Sequence, residues 1–506
     1  MLVSSKAPAI ACARLVDALA DADLQALIDH AVDRESDFSA LTFLAGCLCH
    51  APLVRRMVER AGLPLILAKL LADEGGSESK RVWAAKCIDI AILTARESGP
   101  PPDTWAKPII KPLRAAFVAA IARDPALGTS SAVVCSILVS LASESNLRSS
   151  VASGLPDFVA ALRGGGHPAD LASTLVMSLA PHPGARAAAL RAGAVPALVS
   201  LLSGADGAPS PAVRASCGEE AAGSAFRSLG TFSLFDDSRA AILATDASSR
   251  LRGTLLGSTI PGLASDNPKQ IEGDLFALSS LLATKVLPVA SLIDTGALAR
   301  GTQLLQSGNL KVLARAAKLP LVALAFAGPS ELQPVIAALR AVLRAFGPAS
   351  SHPSSGPISL FIVPIAKYMC RWAGGAPEPP TVEFPSFDDA LPWQPPENGR
   401  AFGELLVTEG YLIPILSGMI RANPEYAFTK DLRGLSLVDA MTKGAPFYAG
   451  RILHYLDCYA GPAVAARLAR LVPEPVLRAV RAAAASGRWG RPMDAPPGEQ
   501  ALGEEA

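Results

Sequence analysis

A four-residue apolar frame with a small side chain at its third position recurs along this chain. The clearest instances are Leu138-Val139-Ser140-Leu141, Val176-Met177-Ser178-Leu179, Phe226-Arg227-Ser228-Leu229 and Leu278-Ser279-Ser280-Leu281. Cys47 and Cys87 occupy the same slot upstream, and Ala323 occupies it downstream in Leu321-Val322-Ala323-Leu324. Successive slots are separated by 38 to 53 residues. Helical repeats built of two or three helices have periods of about 40–47 residues, which loop insertions lengthen. Such a chain stacks modules that pack on their neighbours, so its core grows with its length.

A second marker keeps phase with the first. Gly62-Leu63-Pro64, Gly154-Leu155-Pro156 and Gly193-Ala194-Val195-Pro196 each open an apolar helix, and Gly296 and Gly410 look like further copies. Leu155, Phe158, Val159 and Leu162 fall at i, i+3, i+4 and i+7, one face of a helix. Glycine is expected to break the preceding short helix where a Cβ would strain the turn. Proline in the first turn loses no hydrogen bond, because that N–H has no helical partner. Each module therefore reads as short helix, Gly turn, second helix, loop and long third helix.

Composition agrees with thin helical layers. Of 506 residues 50% are hydrophobic but only 5% aromatic, so Ala, Leu and Val supply the apolar surface. Lys plus Arg number 46 against 45 Asp plus Glu, a balance that gives no bulk attraction to nucleic acid or an acidic membrane. The longest uncharged apolar stretches are too short to span a bilayer. The eight cysteines are scattered through helical patterns and read as free thiols in a reducing compartment. With no secretory signal evident at the N-terminus, the expected location is cytoplasmic, with the nucleus as second choice.

The stretch from Gly193 to Leu202 resembles the second helix of an armadillo repeat almost position for position. Phe226-Arg227-Ser228-Leu229 resembles the end of that repeat's third helix, where the family carries Asn. The likeness covers residues 30–330 in about six degenerate copies. It implies an all-α, right-handed α-solenoid of armadillo-like repeats over 1–372, with a helical C-terminal extension over 401–490. It also implies that the third helices line a concave groove. There the family's Asn binds an extended peptide backbone, and a Trp one turn earlier forms side-chain pockets.

At the matching positions this chain has Cys, Ser or Ala and no Asn; one turn earlier stand Phe43, Trp83, Ser136, Thr174, Ser224, Phe276 and Leu319. Each lost backbone hydrogen bond removes about 0.5–1.5 kcal/mol, which counts against a transport receptor for linear peptides. Two readings of the small residues stand: close packing between third helices, or a hydroxyl-lined groove formed by Ser136, Ser140, Thr174, Ser178, Ser224 and Ser228 with Trp83.

Residues 373–400 form a Pro-rich acidic linker expected to be non-helical, and residues 491–506 a disordered tail. Segment 377–396 is a candidate to dock on the chain's own groove. Past it, Arg467, Arg470, Arg478 and Arg481 could form a basic ridge for an acidic partner, with a solvated face as the plainer account.

Motifs for chemistry are thin. Cys47-Leu48-Cys49-His50 lacks the second ligand pair of a zinc site. Ser77-Glu78-Ser79-Lys80 lacks the companions of Ser-x-x-Lys enzymes, and Gly164-Gly165-Gly166-His167 lacks the strand before and the Lys-Ser/Thr after that a phosphate loop needs. His30, His50, His167, His182, His352 and His454 stand apart in sequence. The expectation is a non-enzymatic protein-binding scaffold without cofactor or metal. A transport receptor or chaperone cofactor, and an enzyme assembled only on folding, are the alternatives.

Overall fold

A computed structural model describes residues 21–33, 39–48, 62–72, 77–96, 103–123, 129–204, 206–215, 219–257, 263, 267–346, 396–410, 412–427 and 437–486. Every regular element among them is a helix. Helices pack mainly on near neighbours in the chain, which makes the fold an all-α solenoid of repeats. The chain divides into two compact units, Met1–Phe232 with Ala240–Thr259 and Ser233–Arg239 with Ile260–Ala506. Most of segment 373–400, the 491–506 tail and the cluster at Cys49 and His50 lie outside the described residues.

In the first unit the third helices are Ser39–Cys47, Glu78–Arg96, Thr129–Ser143, Gly166–Leu179 and Glu219–Ser233. The module between 148 and 179 follows the expected order: Arg148–Ala152, a turn at Gly154, Leu155–Gly164, then Gly166–Leu179. The next one runs Pro183–Ala192, Gly193, Ala194–Ser200. Upstream, the single helix Asp103–Arg123 replaces a short helix, Gly turn and second helix, and keeps Pro108 and Pro112 inside it. That helix packs on Leu63–Ala72 and Thr129–Ser143, and its Phe117 meets Phe158 edge-on at 5.7 Å in the core.

The glycine marker acts in two ways. Gly62, Gly193, Gly296 and Gly410 have φ of +61°, +83°, +71° and +73°, the left-handed conformation that a Cβ penalises. Gly154 corrects the expectation at its copy, because its φ is −87°. A Cβ there would stand 2.4 Å from Nε of Arg114. That side chain crosses to donate to Ser153 Oγ at 2.6 Å and to reach Asp157 at 3.3 Å. Glycine at 154 clears a path for an arginine rather than making a left-handed turn.

The small-residue frame sits where third helices cross. Cys87, Ser228, Ser280 and Ala323 are all 0% exposed, while Ser140 and Ser178 are half-buried. The Cys87 thiol donates to Leu41 O at 3.3 Å and the Ser228 hydroxyl to Ser173 O at 3.0 Å, each on the preceding third helix. Thr94 repeats the contact two turns further on, donating to Leu48 O at 3.0 Å. A longer side chain in these slots would push the helices apart.

In the second unit Pro268–Ala283 packs on Leu310–Phe326, whose Leu321, Val322, Ala323 and Leu324 are wholly buried. Leu332–Phe346 then packs between Leu310–Phe326 and Pro396–Glu409. The last of these begins at Pro396, so residues 396–400 are helical and the non-helical expectation for 373–400 is corrected there. Asn398 is buried and its amide nitrogen donates to Leu324 O at 2.7 Å and Ala327 O at 3.0 Å. It thereby satisfies carbonyls at the end of Leu310–Phe326 that have no helical donor. The extension continues through Leu412–Ala422, Leu437–Cys458, Pro462–Leu471 and Glu474–Ala485. Among the described residues no single helix is long and apolar enough to cross a membrane.

Candidate functional site

The third helices are the surface on which sequence placed the binding residues, and they are stitched together by polar side chains. Ser77 caps Glu78–Arg96, its hydroxyl accepting from Lys80 N at 3.3 Å, which gives the Ser-x-x-Lys spacing a structural role. Glu78 Oε1 accepts from Ser130 N at 3.0 Å, so one third helix caps the start of the next. Burial alone would raise the Glu78 carboxyl, but hydrogen bonds from Ser130 and Arg81 outweigh it and hold it below its ordinary value. At the far ends of the same two helices, Arg96 reaches Glu144 at 2.6 Å.

One turn before the frame, the first three positions of the row reach solvent and the later ones close. Phe43 is 41% exposed. Trp83 is half-buried, with the Lys86 ammonium 4.5 Å from its ring centroid, a cation–π contact. Ser136 is exposed. Thr174 is half-buried and its hydroxyl turns back to Asp170 O at 3.2 Å; that of Ser178 turns back to Leu175 O at 2.7 Å. Ser224 is buried, donates to the Asp170 carboxylate and accepts from Arg227 Nη2 at 2.6 Å. The hydroxyls of Ser224 and Ser228 are therefore engaged within the fold. At the corresponding second-unit positions, Phe276 lies under the Arg315 guanidinium at 5.0 Å and Leu319 is buried.

Two turns before the frame, Asp170 and Glu220 face each other across adjacent third helices, with His167 beside them. The glycine run delivers that histidine. Gly165 and Gly166 both have positive φ and turn the chain so sharply that His167 is the second residue of the third helix. Sequence reading took the run for an inter-helix loop and missed the cluster. The missed signal was the i, i+3 spacing of His167 and Asp170, with Glu220 at the same register one repeat on. Burial, with the charge of Asp170 adding to it, pushes the neighbouring Cys135 thiol far above its usual range, and it donates to Leu171 O at 3.3 Å as a packing group.

In the extension, Arg467 and Arg470 are exposed, whereas Arg478 pairs with Glu474 at 3.0 Å and Arg481 grips both oxygens of Asp457 at 2.8 Å. Glu474 and Asp457 thus neutralise two of the four arginines of the expected ridge. On the same long helix as Asp457, Cys458 Sγ lies 3.5 Å from His454 Nδ1. Burial, and then Asp457, raises the thiol's pKa, while burial lowers that of the imidazole. Both shifts favour neutral groups, the opposite of a thiolate–imidazolium nucleophile.

No protein-family model matches this chain, and no curated protein does. Among solved structures, an engineered protein from a structural-genomics programme aligns over 93% of this chain and 99% of its own, at 16% identity and a TM-score of 0.45. A designed armadillo repeat protein in complex with the peptide (KR)4 aligns over 49% of this chain and 96% of its own, at 16% identity and a TM-score of 0.34. Similarity this distant carries no argument about function.

Proposed function

We propose that the chain is a non-enzymatic scaffold that binds a protein partner on the third helices of its first unit, around Phe43, Trp83 and Ser136. The observation that carries this reading is the contrast between two registers. The frame position Cys87 is sealed by a helix crossing, while one turn earlier in the first three repeats Phe43, Trp83 and Ser136 keep an aromatic edge, a cation-capped indole and a hydroxyl open. Aromatic anchors rimmed by polar groups are where interfaces concentrate their energy. The absence of Asn from the frame, together with hydroxyls already bonded within the fold at 174, 178, 224 and 228, favours a folded partner surface over an extended peptide backbone.

The buried thiols of Cys87 and Cys135, which act as packing groups that donate to main-chain carbonyls, support a reducing location, for which we propose the cytoplasm with the nucleus as second choice. Folded-domain binders selected against the purified full chain test the site. Phe43→Ala and Trp83→Ala should each weaken the selected binders at least tenfold at unchanged Tm. Binders indifferent to both substitutions would remove the reading.

A further inference from the structure

Eight residues before the frame slot, each third helix presents a side chain at its N-terminal end. In the second unit this register carries Glu272 and Arg315, which form an ion pair at 3.8 Å across adjacent helices. In the first unit it carries Asp170 and Glu220, so the same geometry brings two carboxylates together. No arginine or lysine completes them: among the described residues no ion pair reaches either acid, and Arg227 is bonded to Ser224 instead. What stands beside them is His167, one turn from Asp170 on its own helix. One nitrogen of His167 and one oxygen from each carboxylate lie within 4.8 Å of one another.

We propose that His167, Asp170 and Glu220 form a binding site for a divalent transition-metal ion of the zinc class. The donor set, one imidazole nitrogen with two carboxylate oxygens, leaves a fourth position open and suits zinc. Two ligands on a tetrahedral ion at those bond lengths sit about 3.4 Å apart, so closure needs a contraction of about 1.4 Å at most. Glu220 is exposed and has three side-chain torsions with which to move. Asp170 is held in place from behind by the Ser224 hydroxyl, itself fixed by Arg227, in the manner of outer-shell groups that orient metal ligands. The ion would take the place that Arg315 fills two repeats later and would clamp neighbouring modules together. Its open position, reached from solvent past Glu220, would admit water or a partner's side chain.

The test uses the full chain, stripped with chelator and titrated with Zn2+, Co2+ and Mg2+. One equivalent of Zn2+ should bind at micromolar concentration and raise Tm, while Mg2+ at the same concentration does neither. His167→Gln and Glu220→Gln should each weaken Zn2+ at least tenfold without lowering the Tm of the metal-free chain. Cys458→Ser should bind as the parent does. No Zn2+ binding, equal binding of Mg2+, or loss of binding on Cys458→Ser with retention on His167→Gln would each overturn the proposal. So would a thiolate-to-cobalt charge-transfer band, which would put the metal on a cysteine.

Discussion

Ser228 and Ser178 hold the same slot in successive repeats, yet their surroundings differ. Ser228 is sealed between helices and bonded to Ser173 O; Ser178 is half-buried and bonded within its own helix. Leucine at 228 would have to separate the third helices, at a cost of about 1–3 kcal/mol, whereas leucine at 178 has solvent on one side. Ser228→Leu should therefore lower the urea midpoint clearly more than Ser178→Leu, and equal shifts would show that both crossings are alike. Gly403 makes the same point by size, since a Cβ there would stand 2.8 Å from Ala460 Cβ. The slots and their phase were visible in sequence because small residues in an apolar frame have few other uses. Their depth was not, because Ser140 and Ser228 look identical in a string and differ only in what crosses them.

Among elements, the link between Glu78–Arg96 and Thr129–Ser143 rests on a side chain that titrates. Glu78 has a folded pKa below its ordinary 4.5, so it contributes stability above that value and loses it as pH falls through the folded pKa. The side chain is half exposed, which keeps the contribution small. In pH-dependent denaturant melts, Glu78→Gln should be less stable than the parent at neutral pH, and the two curves should converge as pH falls through the lowered folded pKa of Glu78. A constant offset at all pH values would mean that the carboxylate charge is not what caps Ser130. Sequence marked Ser77 to Lys80 only as an enzyme-like spacing, since capping across repeats joins residues 52 positions apart. The helix Asp103–Arg123 was equally hidden, because two prolines and no glycine replace the expected marker there.

For the molecule as a whole, sequence supplied the all-helical repeat order, which follows from periodicity, while the row one turn before the frame came from the armadillo resemblance. It did not supply the division near 233–260, which depends on contacts between turns of the array rather than on composition. Nor did it supply the His167–Asp170–Glu220 cluster, which needs the register between two helices. In the second unit the Asn398 side chain helps join the extension to the repeats. Asn398→Ala leaves the carbonyls of Leu324 and Ala327 without their amide partner and should cost about 1–3 kcal/mol, read as a lower midpoint in the melt of that unit. An unchanged melt would mean that water replaces the amide freely.

The same amide ties down the far side of a long excursion. The chain leaves Leu332–Phe346 and comes back as Pro396–Glu409 packed on that very helix, with Arg340 holding Glu409 at 2.9 Å. The exit and the return lie at opposite ends of this parallel pair, since Arg344 near the exit meets Glu409 while Asn398 beside the return meets Leu324 and Ala327. The entropy of joining two such ends grows only with the logarithm of the connecting length, so lengthening the connection leaves the two helices facing each other.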